Sequence, residues 1–137
     1  GQRDKRVSSA FAYLAAKGQN LTMRSAGTQM RSYCYCIDCA SAILQVLLFG
    51  ECGEAYNISN PASIISIRQM AEVLAKAGNV DLIVETPDET EKAAFNPMDN
   101  SSLSSEKLES LGWRSVFSAE EGLEHTVQIL KAAVQRV

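Results

Sequence analysis

The chain has no excess of positive charge, and it contains a single histidine. Its 13 Lys and Arg residues are outnumbered by 16 Asp and Glu residues, which gives a formal net charge of −3 over 137 residues. Because nucleic-acid phosphates and anionic membranes are bound by concentrated basic side chains, this balance argues against either partner. The one histidine, His125, falls off the apolar stripe of the last predicted helix. We therefore expect it to face solvent and not to act as a general base.

Long apolar runs are also missing. The longest, residues 42–49, is interrupted by Gln45 and is far shorter than the roughly 20 residues that cross a bilayer. Nothing near Gly1 has the layout of a signal peptide. We therefore expect a cytoplasmic protein without a membrane partner. The hydrophobic content of 46% predicts one globular domain over residues 1–137.

Apolar periodicity predicts a mixture of helices and strands, and hence an α/β fold class. Helices are predicted over residues 4–17, 40–49 and 105–111, after the capping-box pair Ser66 and Gln69, and from Ser118, which is paired with Glu121. Strands are predicted over residues 21–24, 31–36, 55–58 and 82–85, and a loop over 88–102. Asp38 is expected to be the N-cap of the helix over 40–49.

The capping boxes also fix which side chains of two helices should face the core. The helix after Ser66 should bury Ile67, Met70, Val73 and Leu74. The last helix should bury Leu123, Val127, Leu130 and Val134. These two stripes predict a small core built between helices.

Three segments carry a resemblance to a known family. They are residues 27–38 (GTQMRSYCYCID), 53–59 (GEAYNIS) and 104–113 (SSEKLESLGW). In this order they resemble the C-terminal, substrate-binding portion of the NAD-dependent epimerase/dehydratase family, the extended short-chain dehydrogenases that remodel nucleotide sugars. Residues 4–11 (DKRVSSAF) are similar to a stretch of the UDP-glucuronate decarboxylases.

Enzymes of this family open with a strand and a glycine-rich turn that holds the dinucleotide at a helix N-terminus. The chain has no such turn. The resemblance therefore implies a Rossmann-type extended short-chain dehydrogenase without its dinucleotide-binding half, that is, part of an enzyme. In that family NAD oxidises the sugar at C4, the activated sugar is epimerised, dehydrated or decarboxylated, and the hydride returns.

The resemblance implies a division of labour. The chain would grip a UDP- or dTDP-sugar, while the cofactor domain of the same polypeptide would bind NAD and supply the catalytic residues. We expect the chain alone to be inactive and to bind neither cofactor nor metal. The strand–helix unit over 31–49 and the strand over 55–58 would lie against the cofactor domain. Without it, we expect the chain to form a homo-oligomer.

Arg31 is the strongest candidate binding residue. A guanidinium after a glycine turn can offer a planar fork of donors to a diphosphate, and in the resembled family the arginine of this motif contacts the diphosphate. The resemblance further implies that Arg6, Val7 and Ser8 lie near the base or ribose and that Met23 packs against the face of the base. For Arg31, the alternative is an arginine paired with a surface carboxylate. For the segment with Arg6, it is a solvated charge cluster that caps an ordinary helix, and for Met23 it is a place in the core.

One position departs from the family pattern. Members often carry an arginine a few residues before the element that reads KLESLGW here, where it is a second clamp on the diphosphate; the matching position in this chain is Asn100. Losing such a charge-assisted contact would weaken binding by about 1.5–3 kcal/mol if nothing replaced it.

Tyr13 and Lys17 form another pattern of this family. They have the Tyr-x-x-x-Lys spacing of the acid/base pair in short-chain dehydrogenases. That chemistry also needs a serine or threonine from an earlier strand and a bound nicotinamide, and too few residues precede Tyr13 to provide them. We therefore assign no catalytic residue in this chain.

The cysteines suggest a different class of function. Cys34, Cys36, Cys39 and Cys52 could hold zinc or an iron–sulfur cluster if all four thiolates converged. The predicted strand puts Cys34 and Cys36 on one face, whereas Cys39 begins a helix, so small apolar roles are favoured. A non-enzymatic module, stabilised by a metal or serving as an interaction domain, is the alternative function.

Overall fold

A computed structural model describes residues 4, 6–85 and 98–134. The elements are α1 (Val7–Ala16), β1 (Leu21–Met23), β2 (Met30–Ser32), α2 (Cys36–Phe49), a 3-10 turn (Pro61–Ser63), β3 (Ile64–Ser66), α3 (Ile67–Gly78), β4 (Leu82–Val84), β5 (Asn100–Ser101), α4 (Glu106–Glu109) and α5 (Ala119–Val134). This is the mixed α/β architecture that the sequence predicts. Within the described residues, no helix combines the length and the apolar character needed to span a membrane.

The described strands form two small sheets. In the first, β1 and β4 pair in parallel. In the second, β2 lies in the centre, antiparallel to β3 and parallel to β5. The register places Arg31 of β2 between Ile65 of β3 and Ser101 of β5. The backbone that carries Arg31 is therefore held from both sides.

The main core lies where α1, α3 and α5 meet above β1. Its buried members are Phe11, Ala12, Ala15, Leu21, Met23, Met70, Ala71, Leu74, Ala75 and Val127. Gly78 brings α1 and α3 together, because a Cβ at this position would lie 2.9 Å from the Cβ and carbonyl oxygen of Ala15. Each fully buried Leu or Met contributes about 1.5–3 kcal/mol. Packing of three helices therefore stabilises this half of the molecule.

The capping boxes begin their helices as predicted. Ser66 Oγ accepts the Gln69 N–H, and the Gln69 side chain accepts the Ser66 N–H. Ser118 and Glu121 exchange the same pair of bonds before α5. Of the predicted stripes, Met70, Leu74 and Val127 are fully buried, and Ile67, Val73, Leu123 and Leu130 are half-buried.

Val134 was expected in the core, but the structure leaves it exposed. The reason is the length of α5. Lys131, one turn earlier, already reaches the C-terminal carbonyl groups of α3. Val134 therefore lies beyond the helix against which it would have packed.

Lys131 provides a test of this helix packing. Its Nζ donates to the carbonyl oxygens of Ala77 (2.8 Å) and Gly78 (3.3 Å), at the negative end of the α3 dipole. Lys131→Met keeps the apolar stem but removes the charge and the donors. We expect the free energy of unfolding to fall by about 1–2 kcal/mol in urea titrations. The matched control is Lys76→Met, which removes only exposed ion pairs and should lower the free energy of unfolding far less; equal losses would contradict the capping role.

Two predicted strands are corrected by the structure. The strand expected over 31–36 ends at Ser32, because Cys36 is already the first residue of α2. The strand expected over 55–58 is absent, because this segment forms no backbone ladder with a described strand; the Asn57 side chain instead donates to the carbonyl oxygen of Ser104 at 3.3 Å. The predicted loop 88–102 falls mainly outside the described residues, but its end forms β5.

The start of α2 is also corrected. The helix begins at Cys36, not at residue 40, and Tyr35 is its N-cap residue. Asp38 therefore lies in the first turn, where it is buried. Its carboxylate accepts backbone N–H groups from a distant segment instead of capping its own helix.

Most of the surface of α2 is uncovered in the described structure. Only Asp38 and Ala42 are buried, and Ala42 packs with Leu108 and Trp113. The Trp113 Nε1–H donates to Ser41 Oγ (3.0 Å), which fixes α2 along one edge. The side chains that we call the α2 apolar face are 57% to 76% exposed; they are Ile37, Ile43, Leu44, Leu47, Leu48 and Phe49. No described residue buries these side chains.

Candidate functional site

The Gly27 turn sets the start of β2. Gly27 has φ +65°, and a Cβ here would lie 2.6 Å from Met23 Cε and 2.9 Å from the backbone nitrogen of Arg68. Its carbonyl oxygen accepts the Arg68 N–H at 2.9 Å. Glycine is therefore required both by the backbone conformation and by the close approach of α3. This turn delivers Arg31 to the middle of the β3-β2-β5 sheet.

Part of the Arg31 guanidinium has no partner in the part of the chain that the structure describes. Its Nη1 donates to the carbonyl oxygens of Met30 (2.7 Å) and Met98 (3.2 Å). Within the described residues, Nε and Nη2 have no hydrogen-bond partner and no carboxylate lies within ion-pair distance of Arg31. The alternative of an arginine paired with a surface carboxylate therefore gains no support here. The side chain is held in place on one side and can donate on the other.

Tyr33 follows Arg31 at the end of β2. Burial raises the pKa of the Tyr33 hydroxyl, and the positive charge of Arg31 partly offsets the rise. The offset shows that the Arg31 charge acts at Tyr33. At neutral pH this hydroxyl is therefore protonated and can donate a hydrogen bond near the guanidinium.

Asn100 lies on the neighbouring strand but not directly across from Arg31. The register pairs Asn100 with Met30, and it pairs Ser101 with Arg31. Because residues paired across a sheet share a face, Ser101 is the neighbour on the Arg31 side. The Asn100 Oδ1 accepts the Ser102 N–H at 2.9 Å, so only its amide NH₂ remains to donate.

The segment with Arg6, Val7 and Ser8 forms the start of α1. Arg6 is the N-cap residue, and its Nε donates to Asp4 Oδ2 at 2.9 Å. Hydrogen bonds from Arg6 hold the pKa of the Asp4 carboxyl at about 2. Val7 is exposed and Ser8 is half-buried. No hydrogen bond or ion pair between described residues joins this segment to Arg31.

Met23 lies in the core and is only 3% exposed. It packs with Leu21 on the inner face of β1, and its Cε lies beneath Gly27. A base could therefore touch it only at its margin. The core position is the alternative that the sequence offered for this methionine.

The four cysteines are all free thiols. Burial raises the pKa of Cys34 to about 12, and a hydrogen bond with the Cys39 thiol adds to the rise. Metal ligation requires the thiolate, so the environment of Cys34 disfavours it. Among the described residues, no three His, Cys, Asp or Glu side chains are grouped to hold a metal ion. Metal analysis of the purified chain tests the alternative function, which stoichiometric zinc or iron would support.

A cleft of about 170 Å³ lies between residues 33–36 and the first turns of α5. Its volume is smaller than the 300–1,000 Å³ of typical ligand pockets. His125 lies nearby and is exposed, as predicted, with its ring 5.6 Å from that of Phe117. The described residues therefore do not enclose a nucleotide by themselves. Tyr33 lines this cleft, whereas Arg31 does not.

Known proteins resemble the chain over most of its length. Residues 1–59 match the NAD dependent epimerase/dehydratase family. The chain is 35% identical over 120 residues to a trifunctional UDP-glucose 4,6-dehydratase, epimerase and reductase of Arabidopsis thaliana, a match that covers 85% of this chain and 17% of that protein. It is 32% identical over 136 residues to the dTDP-D-glucose 4,6-dehydratase of Mus musculus, covering 93% and 36% respectively. The chain thus spans about a third or less of these relatives.

Solved structures agree in fold. WbmF of Bordetella bronchiseptica, in complex with NAD+ and UDP, superposes with a TM-score of 0.78 at 25% identity, covering 96% of this chain and 38% of that one. A UDP-glucose 4-epimerase of Thermotoga maritima with UDP-glucose gives 0.77 at 23% identity, covering 94% and 40%. The architecture is that of part of an extended short-chain dehydrogenase. In sequence and in fold, the chain is thus similar to part of the NAD dependent epimerase/dehydratase family.

Proposed function

We propose that the chain is the nucleotide-sugar-binding part of an NAD-dependent epimerase, dehydratase or decarboxylase, and that Arg31 binds the substrate diphosphate. The observation that carries this proposal is the guanidinium in the centre of β2, which has two nitrogens without partners among the described residues and no described carboxylate to neutralise it. A diphosphate supplies the opposite charge and the paired oxygens that such a fork recognises. The relatives named above, which act on UDP- and dTDP-sugars, support the same class of substrate.

The other residues have supporting roles in this proposal. The Tyr33 hydroxyl donates beside the guanidinium, and the exposed start of α1, with Arg6, Val7 and Ser8, borders the base or ribose. Met23 supports the Gly27 turn from below and meets the base only at its edge. Asn100 offers an amide where the family often has a charge. The diphosphate would therefore rely mainly on Arg31 for charge.

The remaining chemistry is assigned to the rest of a longer polypeptide. NAD, bound there, would supply reversible hydride transfer, and we assign no described residue to it. The α2 apolar face is proposed as the surface on which that part of the polypeptide packs. The chain alone would then hold a substrate without converting it.

Calorimetric titration of the chain with UDP-glucose, dTDP-glucose, UDP and uridine tests the proposal. We expect the three diphosphates to bind roughly ten- to a hundredfold more tightly than uridine, because the phosphate contact is worth about 1.5–3 kcal/mol. Incubation with NAD and UDP-sugars should give no product by chromatography. Equal binding of uridine and UDP would refute the diphosphate site. Product formation would refute the proposal that the chain alone holds a substrate without converting it.

A further inference from the structure

A buried hydrogen-bonded network ties the strand of Arg31 to distant parts of the chain. The backbone of Phe117, in the segment before α5, is held on both sides. Its N–H donates to Asp38 Oδ2 at 3.0 Å, and its carbonyl oxygen accepts from Asn60 Nδ2 at 2.6 Å. The second carboxylate oxygen of Asp38 accepts the Val116 N–H at 3.0 Å. Both Asp38 and Asn60 are 1% exposed.

The network continues from Asn60 to β2. Asn60 Nδ2 also donates to Ser63 Oγ at 2.8 Å, and Asn60 Oδ1 accepts the Ala62 N–H at 2.9 Å. The Ser63 carbonyl oxygen in turn accepts the Tyr33 N–H at 3.0 Å. These hydrogen bonds therefore link Phe117, through Asn60 and Ser63, to Tyr33, which lies two residues after Arg31.

The burial of these groups excludes a direct contact with substrate. A buried carboxylate is unfavourable unless its oxygens are hydrogen-bonded, and Asp38 meets this requirement with two backbone donors. Its place in the first turn of α2 adds the favourable end of the helix dipole. Such fully bonded buried networks fix one arrangement of the segments they join.

Three contacts hold the Tyr33 end of β2: the backbone bond from Tyr33 to Ser63, the bond from the Leu103 N–H to Ser32 Oγ at 3.2 Å, and the packing of the Tyr33 side chain against the main core. β2 has three residues, and its ladder with β5 covers only Met30 and Arg31. The bond from Tyr33 to Ser63 extends the pairing with β3 by one step. Its loss would loosen the end of β2 and, with it, the orientation of the guanidinium.

We propose that Asp38 and Asn60 are positioning residues for Arg31, which clamp the Phe117 peptide and thereby fix the Tyr33 end of β2. This inference rests on the proposed function, because it assigns these residues to the anion-binding strand. It predicts that either side chain affects ligand affinity without touching the ligand. A purely structural role would lower stability and leave the affinity of the folded protein unchanged.

The test uses Asn60→Ala and Asp38→Ala, with Lys131→Met as a destabilised control outside the network. Affinity for UDP is measured at a temperature where circular dichroism shows every variant folded, and the exchange rate of the Tyr33 amide is measured without ligand. We expect Asn60→Ala to weaken UDP binding roughly three- to tenfold and to accelerate exchange at Tyr33 about tenfold. The control should change neither. If Asp38→Ala does not fold, Asn60→Asp replaces it as the second variant. This change keeps the acceptor for the Ala62 N–H but removes the hydrogen bonds donated to Ser63 and Phe117.

The two readouts separate the possible failures. If the wild-type protein does not bind UDP, the proposed function is overturned. The positioning role at an anion site is then overturned as well, even if Asn60→Ala accelerates amide exchange at Tyr33. UDP binding by the wild type, with Tyr33 exchange and affinity in Asn60→Ala equal to those in the control, would overturn only the positioning role.

Discussion

Replacing Arg31 with alanine is expected to weaken the binding of UDP-glucose by roughly ten- to a hundredfold. A charge-assisted, partly desolvated phosphate contact is worth about 1.5–3 kcal/mol. The loss should be large here, because no described charge stands beside Arg31 to replace it and Asn100 offers only an amide. In the longer enzyme, the KM for the nucleotide sugar should rise much more than the affinity for NAD falls.

Two further variants define the cause of that loss. Arg31→Lys keeps the charge but loses the planar fork, so an intermediate affinity is expected. Arg114→Ala is the matched control, since Arg114 Nη1 also donates to two backbone carbonyl oxygens, those of Glu109 and Trp113, each at 2.7 Å. Titration calorimetry should show no change for this control. An unchanged affinity in Arg31→Ala, or an equal loss in Arg114→Ala, would rule out the assigned contact.

The isolated chain is expected to form dimers or larger species at high concentration through the α2 apolar face. This helix exposes a surface of the size that monomeric proteins usually cover. Covering several hundred Å² gains about 25 cal/mol per Å², or roughly 10 kcal/mol before the entropy of association is subtracted. Association should therefore appear at micromolar to millimolar concentrations.

Sedimentation velocity over a concentration series measures this association. Leu47→Glu and Leu48→Glu place charge on the α2 apolar face, at positions 76% and 69% exposed, and should restore the monomer. Ile129→Glu alters an apolar residue of α5 that is 61% exposed and should not restore the monomer. A wild-type chain that stays monomeric throughout would show that this face needs no partner.

The starts of α3 and α5 were predictable because their signals are local, whereas the start of α2, which lacks a capping box, was not. Ser66 with Gln69, and Ser118 with Glu121, each carry both halves of a capping box within four residues. Strands were harder to predict, because a strand forms only by hydrogen bonding to a second strand that can lie far away in the sequence. β3 is three residues long and merges with the cap of α3, and β5 is two residues long within a polar stretch. The segment 55–58 has strand composition but forms no ladder with a described strand.

The candidate site was predictable in part. Arg31 stands out by its place after the Gly27 turn, and the structure adds the partners that hold it. The hydrogen-bonded network around Phe117 was not predictable, because Asp38 accepts the N–H of Val116, which lies 78 residues further along the chain. Binding roles for Arg6, Val7, Ser8 and Met23 stay predictions, as do a single domain over residues 1–137 and a cytoplasmic setting.

α2 has an exposed thiol near each end, Cys36 in its first turn and Cys52 just past its last. Because Cys34 stays protonated at neutral pH, maleimide reagents should label these two exposed positions first. The helix between them has 14 residues, or roughly 21 Å of length. Paired spin labels would therefore act as a ruler along the α2 apolar face. Distances between labels on two copies would distinguish a parallel from an antiparallel dimer. If a cofactor-binding domain packs on this face, as proposed, adding it should reduce the mobility of the labels.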